Sequence, residues 1–250
     1  MSTIRSYAVQ CAVCGNYSEQ THIMSYTSFG YPDLDFRPPS MYRETMEFWV
    51  QECPHCGYVN THLSDPTDLL HEDLLKIYRE IETKFNWEVE TEPYVIRLAK
   101  LKRPNMFVVW KHPKAVRFAK LGEMFSQLNQ YDDAAEQFLR VAWVFDDDQN
   151  EQAATYWRKE AIWHIVWQLR DIITMEKRIC IYADMLRRTG DFQWLLQLDE
   201  YQLKEEIYIQ LFNYQRELSM REDSAAHKIS EIGNVCKEEG KYSGGMTFGI

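Results

Sequence analysis

The spacing of apolar positions changes once along the chain, near residue 63. Before that point, stretches such as "YSEQTHIMSYTSFG", "DFRPPS" and "MEFWVQE" mix β-branched and aromatic residues with turn formers, the pattern of short strands and loops. A strand over Glu47–Glu52, with Phe48 and Val50 facing one way and Trp49 the other, is predicted to run into the turn "CPHCG". After that point, "SDPTDLLHEDLLKIYREIETKF" places Leu69, Leu70, Leu74, Ile77 and Ile81 at helical spacing. Asp65 or Ser64 can cap this helix, and Pro66 suits its first turn. Further helices are predicted near 92–102, 114–128, 131–145, 151–171, 175–188, 191–217 and 222–238. The ending "EEGKYSGGMTFGI" carries too little periodicity for an element and is expected to be a flexible tail.

The helical part contains a repeat-like segment. In "RFAKLGEMFSQLNQYDDAAEQFLRVAWVF", Phe118, Leu121, Gly122, Phe125, Ala134 and Phe138 fall at the spacing of a tetratricopeptide helix pair. Small Gly122 and Ala134 let two antiparallel helices approach, and Asn129 tolerates the left-handed turn between them. The pattern's terminal proline is absent, with Asp146 in its place. A weaker echo, "IYADMLRRTGDFQWL", aligns Tyr182, Ala183, Leu186, Gly190 and Phe192, but Leu195 and Asp199 replace the expected Ala and Phe. The Trp-rich segment "YWRKEAIWHIVW" between them reads as core.

Composition narrows the setting. At 250 residues, the chain supports one large domain or two modest ones. No apolar run approaches the ~18 residues of a membrane helix, and the start lacks the basic and apolar regions of a signal peptide, so a cytosolic location is expected. The formal charge of −10 repels nucleic acid and anionic membrane unless cations cluster. They do: from Pro93 to Gly122 there is no acid, while Arg97, Lys100, Lys102, Arg103, Lys111, Lys114, Arg117 and Lys120 supply eight positive charges.

The six cysteines carry the strongest chemistry. In the cytosol thiols stay reduced, so ligands, redox groups or buried apolar residues come before disulfides. Cys11, Cys14, Cys53 and Cys56 form the pattern C-x2-C-x38-C-x2-C, and Gly15 and Gly57 directly after each pair permit a tight turn. Two such knuckles complete a four-thiolate tetrahedral site for structural zinc, with no open position for catalysis. The long intervening loop is a small obstacle, because closure costs about 0.6 kcal/mol per doubling of length, against roughly 10–16 kcal/mol for structural zinc. Two alternatives stay open: a thioredoxin-like redox pair, and an iron–sulfur centre on the same thiolates. His55 could displace one cysteine but is expected to face solvent; Cys180 and Cys236 are expected to be buried thiols.

The segments "CAVCG", "DLDFRPPSMYRETMEFWVQECPHCGY" and "LGEMFSQLNQYDDAAEQFLRVAW" together resemble a family of uncharacterised bacterial proteins, with a zinc-ribbon-like N-terminal element followed by tetratricopeptide-like helices. The resemblance implies a cytosolic, metal-binding and protein-binding chain, and no reaction. The expected fold is mainly α: a small β-rich zinc-ribbon-like element over 1–62, helical hairpins over 63–238 and a tail over 239–250.

Three function classes follow. The first is a non-enzymatic interaction protein whose helical groove, lined by the basic stretch with Phe107 and Trp110 interleaved, takes an acidic peptide. That stretch reads equally well as a solvated face balancing Asp146, Asp147 and Asp148. The second is a nucleic-acid-associated zinc-ribbon factor, disfavoured by the net acidity of residues 1–60. The third, an enzyme, finds no nucleophile elbow, P-loop, G-x-G-x-x-G or HExxH. His71 and Glu72 read as exposed helix residues, and His164 as a hydrogen-bonded core histidine.

Overall fold

Four helices in the second half of the chain end by the same backbone device. At each end a residue takes positive φ (Asn129 at 59°, Gln149 at 56°, Gly190 at 78°, Glu222 at 53°). Its successor donates an N–H to a carbonyl five residues back: Gln130 to Phe125, Asn150 to Phe145, Asp191 to Leu186, Asp223 to Leu218, all at 2.8–3.0 Å. This is the Schellman motif, which satisfies the last helical carbonyls and reverses the chain. Only one of the four positions is glycine; with Asn129, residue type marks two of the four stops.

A computed structural model describes residues 3–26, 29–84, 112–168, 176–199 and 203–232. Strands β1 (Thr3–Gln10) and β2 (Tyr17–Ser25) form an antiparallel hairpin, followed by a short helix α1 (Ser40–Arg43), a 3-10 turn (Glu44–Phe48) and the small pair β3 (Gln51–Glu52) and β4 (Val59–Asn60). Then come α2 (His71–Lys84), α3 (Pro113–Gln127), α4 (Tyr131–Asp147), α5 (Glu151–Gln168), α6 (Glu176–Arg188), α7 (Phe192–Gln197) and α8 (Glu206–Met220). The protein is mainly α, with helical hairpins α3–α4 and α4–α5 as its most extensive contacts. No helix among the described residues is long and apolar enough to cross a membrane.

The α3–α4 pair packs as its sequence requires. Gly122 lies against the Phe138 ring so closely that an added Cβ would sit 2.7 Å from Phe138 Cε1. Ala134 and Phe138 are fully buried, and Phe138 stacks on Trp157 of α5 at 5.7 Å. Asp146, standing where the repeat pattern has proline, is where three arginines converge. Arg158 grips it with two bonds (3.1 and 2.5 Å), Arg188 with one (3.0 Å), and Arg37 lies at 3.6 Å. Burial alone would raise the Asp146 pKa, but these guanidiniums, Arg158 foremost, hold it below the usual carboxylate range.

Several expectations need correction. The strand over Glu47–Glu52 is short: residues 44–48 form a 3-10 turn, and only Gln51–Glu52 pair with Val59–Asn60. Trp49 causes the difference, since its indole N–H donates to Thr45 Oγ1 at 2.9 Å while its ring packs on Tyr42 and Phe118. The first long helix starts at His71 rather than beside Pro66. There the Asp73 carboxylate accepts the Leu70 N–H (3.0 Å), and Leu70 itself is 66 % exposed. The single helix over 191–217 is broken: α7 ends at Gln197, and the Glu176 carboxylate accepts the N–H groups of Lys204 and Glu205 (2.7 and 2.9 Å) ahead of α8. Residues 222–232 hold one 3-10 turn (Ile229–Glu231) instead of a helix. Within the Trp-rich helix, Trp157 is buried but Trp163 is 56 % exposed. The helix near 92–102, Cys236 and the tail lie outside the described residues.

The two expected parts share one core. A single apolar cluster runs from Val9, Cys11, Met46, Val50, Cys53 and Tyr58 into Ile77, Phe118, Phe138 and Trp157. A second cluster takes Leu34 and Phe36 of the N-terminal part in among Cys180, Leu186, Leu211 and Phe212.

Candidate metal centre

Two loops with the same hydrogen-bond pattern face each other. In the first, Cys11 N–H donates to Asn16 O (2.9 Å) and Gly15 N–H to Cys11 O (2.9 Å); in the second, Cys53 N–H donates to Tyr58 O and Gly57 N–H to Cys53 O (both 2.8 Å). Gly15 and Gly57 sit at φ 69° and 75°, the left-handed region where glycine is unstrained. The first knuckle is delivered by the β1–β2 hairpin, and the second is the turn of the β3–β4 pair.

This arrangement gathers Cys11, Cys14, Cys53 and Cys56, whose sulfurs all lie within 4.8 Å of one another. The Cys11–Cys56 and Cys14–Cys53 separations are both 3.7 Å. A disulfide needs about 2.05 Å, and the four thiols are free. A tetrahedron of thiolates about 2.3 Å from a central ion has edges of about 3.8 Å, so the donor set fits a four-coordinate metal. The Asn16 side-chain amide donates to Cys14 Sγ at 3.4 Å, the kind of contact that stabilises a ligating thiolate. Packed together, the thiols share charge unequally. Donation from Cys53 and then Cys56 pulls the Cys11 pKa far below the ordinary thiol range, and the same coupling to Cys11 pushes Cys53 and Cys56 up.

The helical stack presses on one side of this centre. Tyr78 of α2 lies so close to Gly57 that an added Cβ would fall 1.7 Å from its hydroxyl. Lys120 of α3, 2 % exposed, pairs with Glu52 and donates to Tyr78 Oη at 3.0 Å. Burial opposes its charge, but Glu52 holds the ammonium protonated well above the usual lysine range.

The basic stretch divides. Arg97, Lys100, Lys102, Arg103 and Lys111 lie outside the described residues. Lys114 is exposed at the start of α3, Arg117 is half-buried beside Val50 O (3.4 Å), and Lys120 is spent inside the protein. His55 is half-buried, its Nε2 donating to Tyr17 O at 3.2 Å, away from the ligand role. His71 and Glu72 are exposed. His164 is a core histidine: Nδ1 donates to Glu160 O (2.8 Å), so Nε2 accepts from the Ser126 hydroxyl (3.1 Å). Cys180 is buried, and burial, with Glu176 adding, pushes its thiol up to about 12.

Beside the first knuckle, an open cleft of about 200 Å³ is lined by Tyr7, Val9, His22, Gln51, His62 and Ser64. His22 stacks on Tyr7 at 4.1 Å and accepts from the Gln51 amide; burial, then His62, lowers its pKa. These residues are scattered from Tyr7 to Ser64 with no spacing rule, so periodicity could not have grouped them.

Compared with family models, curated proteins and solved structures, the chain gives no match. The resemblance to zinc-ribbon and tetratricopeptide-like bacterial proteins therefore rests on the cysteine knuckles and the α3–α4 pair.

Proposed function

We propose that the four cysteines hold one structural zinc ion, and that the chain is a non-enzymatic protein-interaction platform of the reducing cytosol. The observation that carries the metal reading is the sulfur geometry: two 3.7 Å edges across two knuckles with the same hydrogen-bond pattern, with all four positions supplied by protein. A closed four-thiolate shell leaves no place for substrate or activated water, which favours a structural role. Zinc is preferred over iron because a closed tetrahedral thiolate shell is the usual form of a structural zinc site. The platform reading draws support from the stacked helical hairpins, which present extended surfaces to peptides. The nucleic-acid reading has less behind it, since Lys120 is committed to Glu52 and unavailable to phosphate.

Elemental analysis of protein purified without chelator, with thiols counted before and after denaturation, tests the metal. About one zinc per chain with four thiols protected until denaturation is expected. Metal-free protein whose paired thiols cycle to a disulfide would replace this reading with a redox one.

A further inference from the structure

The segment "PDLDFRP", residues 32–38, behaves less like a loop than like a bound peptide. Its backbone is held by extended pairing: Leu34 N–H donates to His227 O (2.9 Å), Ile229 N–H to Pro32 O (3.0 Å), and Asp33 bridges Lys228. The side chains of residues 34–37 have receiving groups on the helical stack, while Asp33 pairs with Arg43 of α1 (3.0 Å). Asp35 accepts the Trp143 indole N–H at 2.6 Å; burial and then the neighbouring Asp184 raise its pKa, with Arg158 and Arg188 opposing them only in part. Phe36 lies near Tyr208 (6.3 Å) with the Lys177 ammonium over its ring (5.1 Å), and Leu34 joins the same apolar cluster. Arg37 pairs with Asp146 and Asp147 and donates to Trp143 O at 2.9 Å.

One observation separates this segment from ordinary core. Phe36 sits at φ 62°, a conformation that a bulky residue holds only when its surroundings impose it, and strain of this kind clusters at functional sites. Among the described residues, the seat also leaves Asp184 Oδ2 and the Nε atoms of Arg37 and Arg158 without hydrogen-bond partners, a feature it shares with atoms elsewhere in the protein. Exposed Phe29 and Gly30, the latter at φ 95°, flank it on one side.

We propose that residues 32–37 are a resident pseudo-ligand, and that their seat on α4, α5, α6 and α8 is the site where a partner peptide binds in exchange. The partner carries the same chemistry: an acid, then an aromatic, then an arginine, with an apolar residue before the acid. This rests on the platform reading above and moves the peptide site from the basic stretch to the seat of Arg158, Arg188, Trp143 and Asp146.

The test is anisotropy titration of a labelled peptide of residues 31–39 with the full metal-loaded chain. Wild-type protein, its seat filled, is expected to bind at least ~10-fold more weakly than the Leu34→Ala/Phe36→Ala variant, because an occupied seat lowers apparent affinity by the free fraction. The Arg43→Ala variant serves where the double variant fails to fold: it removes the 3.0 Å ion pair to Asp33 and leaves the apolar seat intact. A peptide with both acids changed to amides is expected not to bind. Equal affinity for wild type and folded variant, or no binding to either folded variant, would overturn the proposal. Metal content measured on the same samples separates the readings: folded, metal-loaded variants that fail to bind sink the seat alone, whereas binding by metal-free protein sinks only the zinc assignment.

Discussion

The two cysteine knuckles have one backbone and two environments. Around Gly15 nothing lies within 4 Å of where a Cβ would be; this knuckle is held by the Asn16 amide, by the Ala12 N–H to Leu63 O bond (2.9 Å) and by Cys11 in the shared cluster, with no polar clamp from the helices. Around Gly57 the Tyr78 hydroxyl fills that position, and Glu52, directly before Cys53, is clamped by Lys120. The ligand chemistry is thus symmetric while the mechanical coupling is not. One knuckle closes the site; the other also welds it to α2 and α3.

The comparison breaks most severely if a ligand is removed. Cys53→Ser and Cys14→Ser are both expected to abolish stable metal binding, but Cys53, buried in the shared cluster, should also lower the thermal transition of the helical stack. Calorimetry with metal analysis checks this; an unchanged helical transition in the Cys53→Ser variant would mean that the knuckle and the stack are independent.

The glycines give the sharpest contrast. Gly57→Ala adds a clash with Tyr78 to the left-handed penalty and should cost about 3 kcal/mol or more, against about 1 kcal/mol for Gly15→Ala. Equal midpoint shifts in urea would refute the asymmetry.

Glu52→Gln leaves the Lys120 ammonium buried with neutral acceptors and no counter-charge, a loss of about 2 kcal/mol, whereas Lys120→Met replaces the charge with an apolar chain and should cost less. The reverse order in denaturant unfolding would show that the pair itself drives docking.

The smallest effect sets the knuckles against the loop between them, through opposite responses to acid. Burial, with Asp35 adding to it, raises Asp33 to about 6 against the opposing pull of Arg43 and Arg37, Asp184 adding least. A carboxyl whose folded pKa lies above its unfolded value stabilises fully below the unfolded value, near 3.8, and loses that contribution as pH rises through about 6. Amide exchange at Leu34, corrected for intrinsic rate, should therefore report opening easier by about 1–2 kcal/mol above pH ~6 than near pH ~4, and flat with pH in Asp33→Asn. The knuckles run the other way, because acid protonates thiolates and releases metal. Matching slopes at Leu34 and Gly57 would erase the distinction.

Much of this was legible in local pattern. CxxCG fixes a knuckle within five residues, and Gly122, Ala134 and Phe138 announce a close helix pair, because both rules act through neighbours along the chain. Asp146 shows the limit: its departure from the repeat pattern was visible, but the three arginines that explain it come from residues 37, 158 and 188. The strand around Trp49 and the helix start at Pro66 failed for the same reason, since a distant packing partner in one case and a competing carboxylate in the other overrode local preference.

By itself, then, the sequence determined the grouping of Cys11, Cys14, Cys53 and Cys56, the mainly helical class and the buried character of Cys180 and His164, each a consequence of spacing or apolar periodicity. Only the tertiary structure decided that Lys120 serves the knuckle rather than a ligand, that "DLDFR" occupies a seat on the helices, and that one core joins both parts. Burial and charge pairing are properties of positions brought together across tens of residues, and no local rule encodes which positions those are.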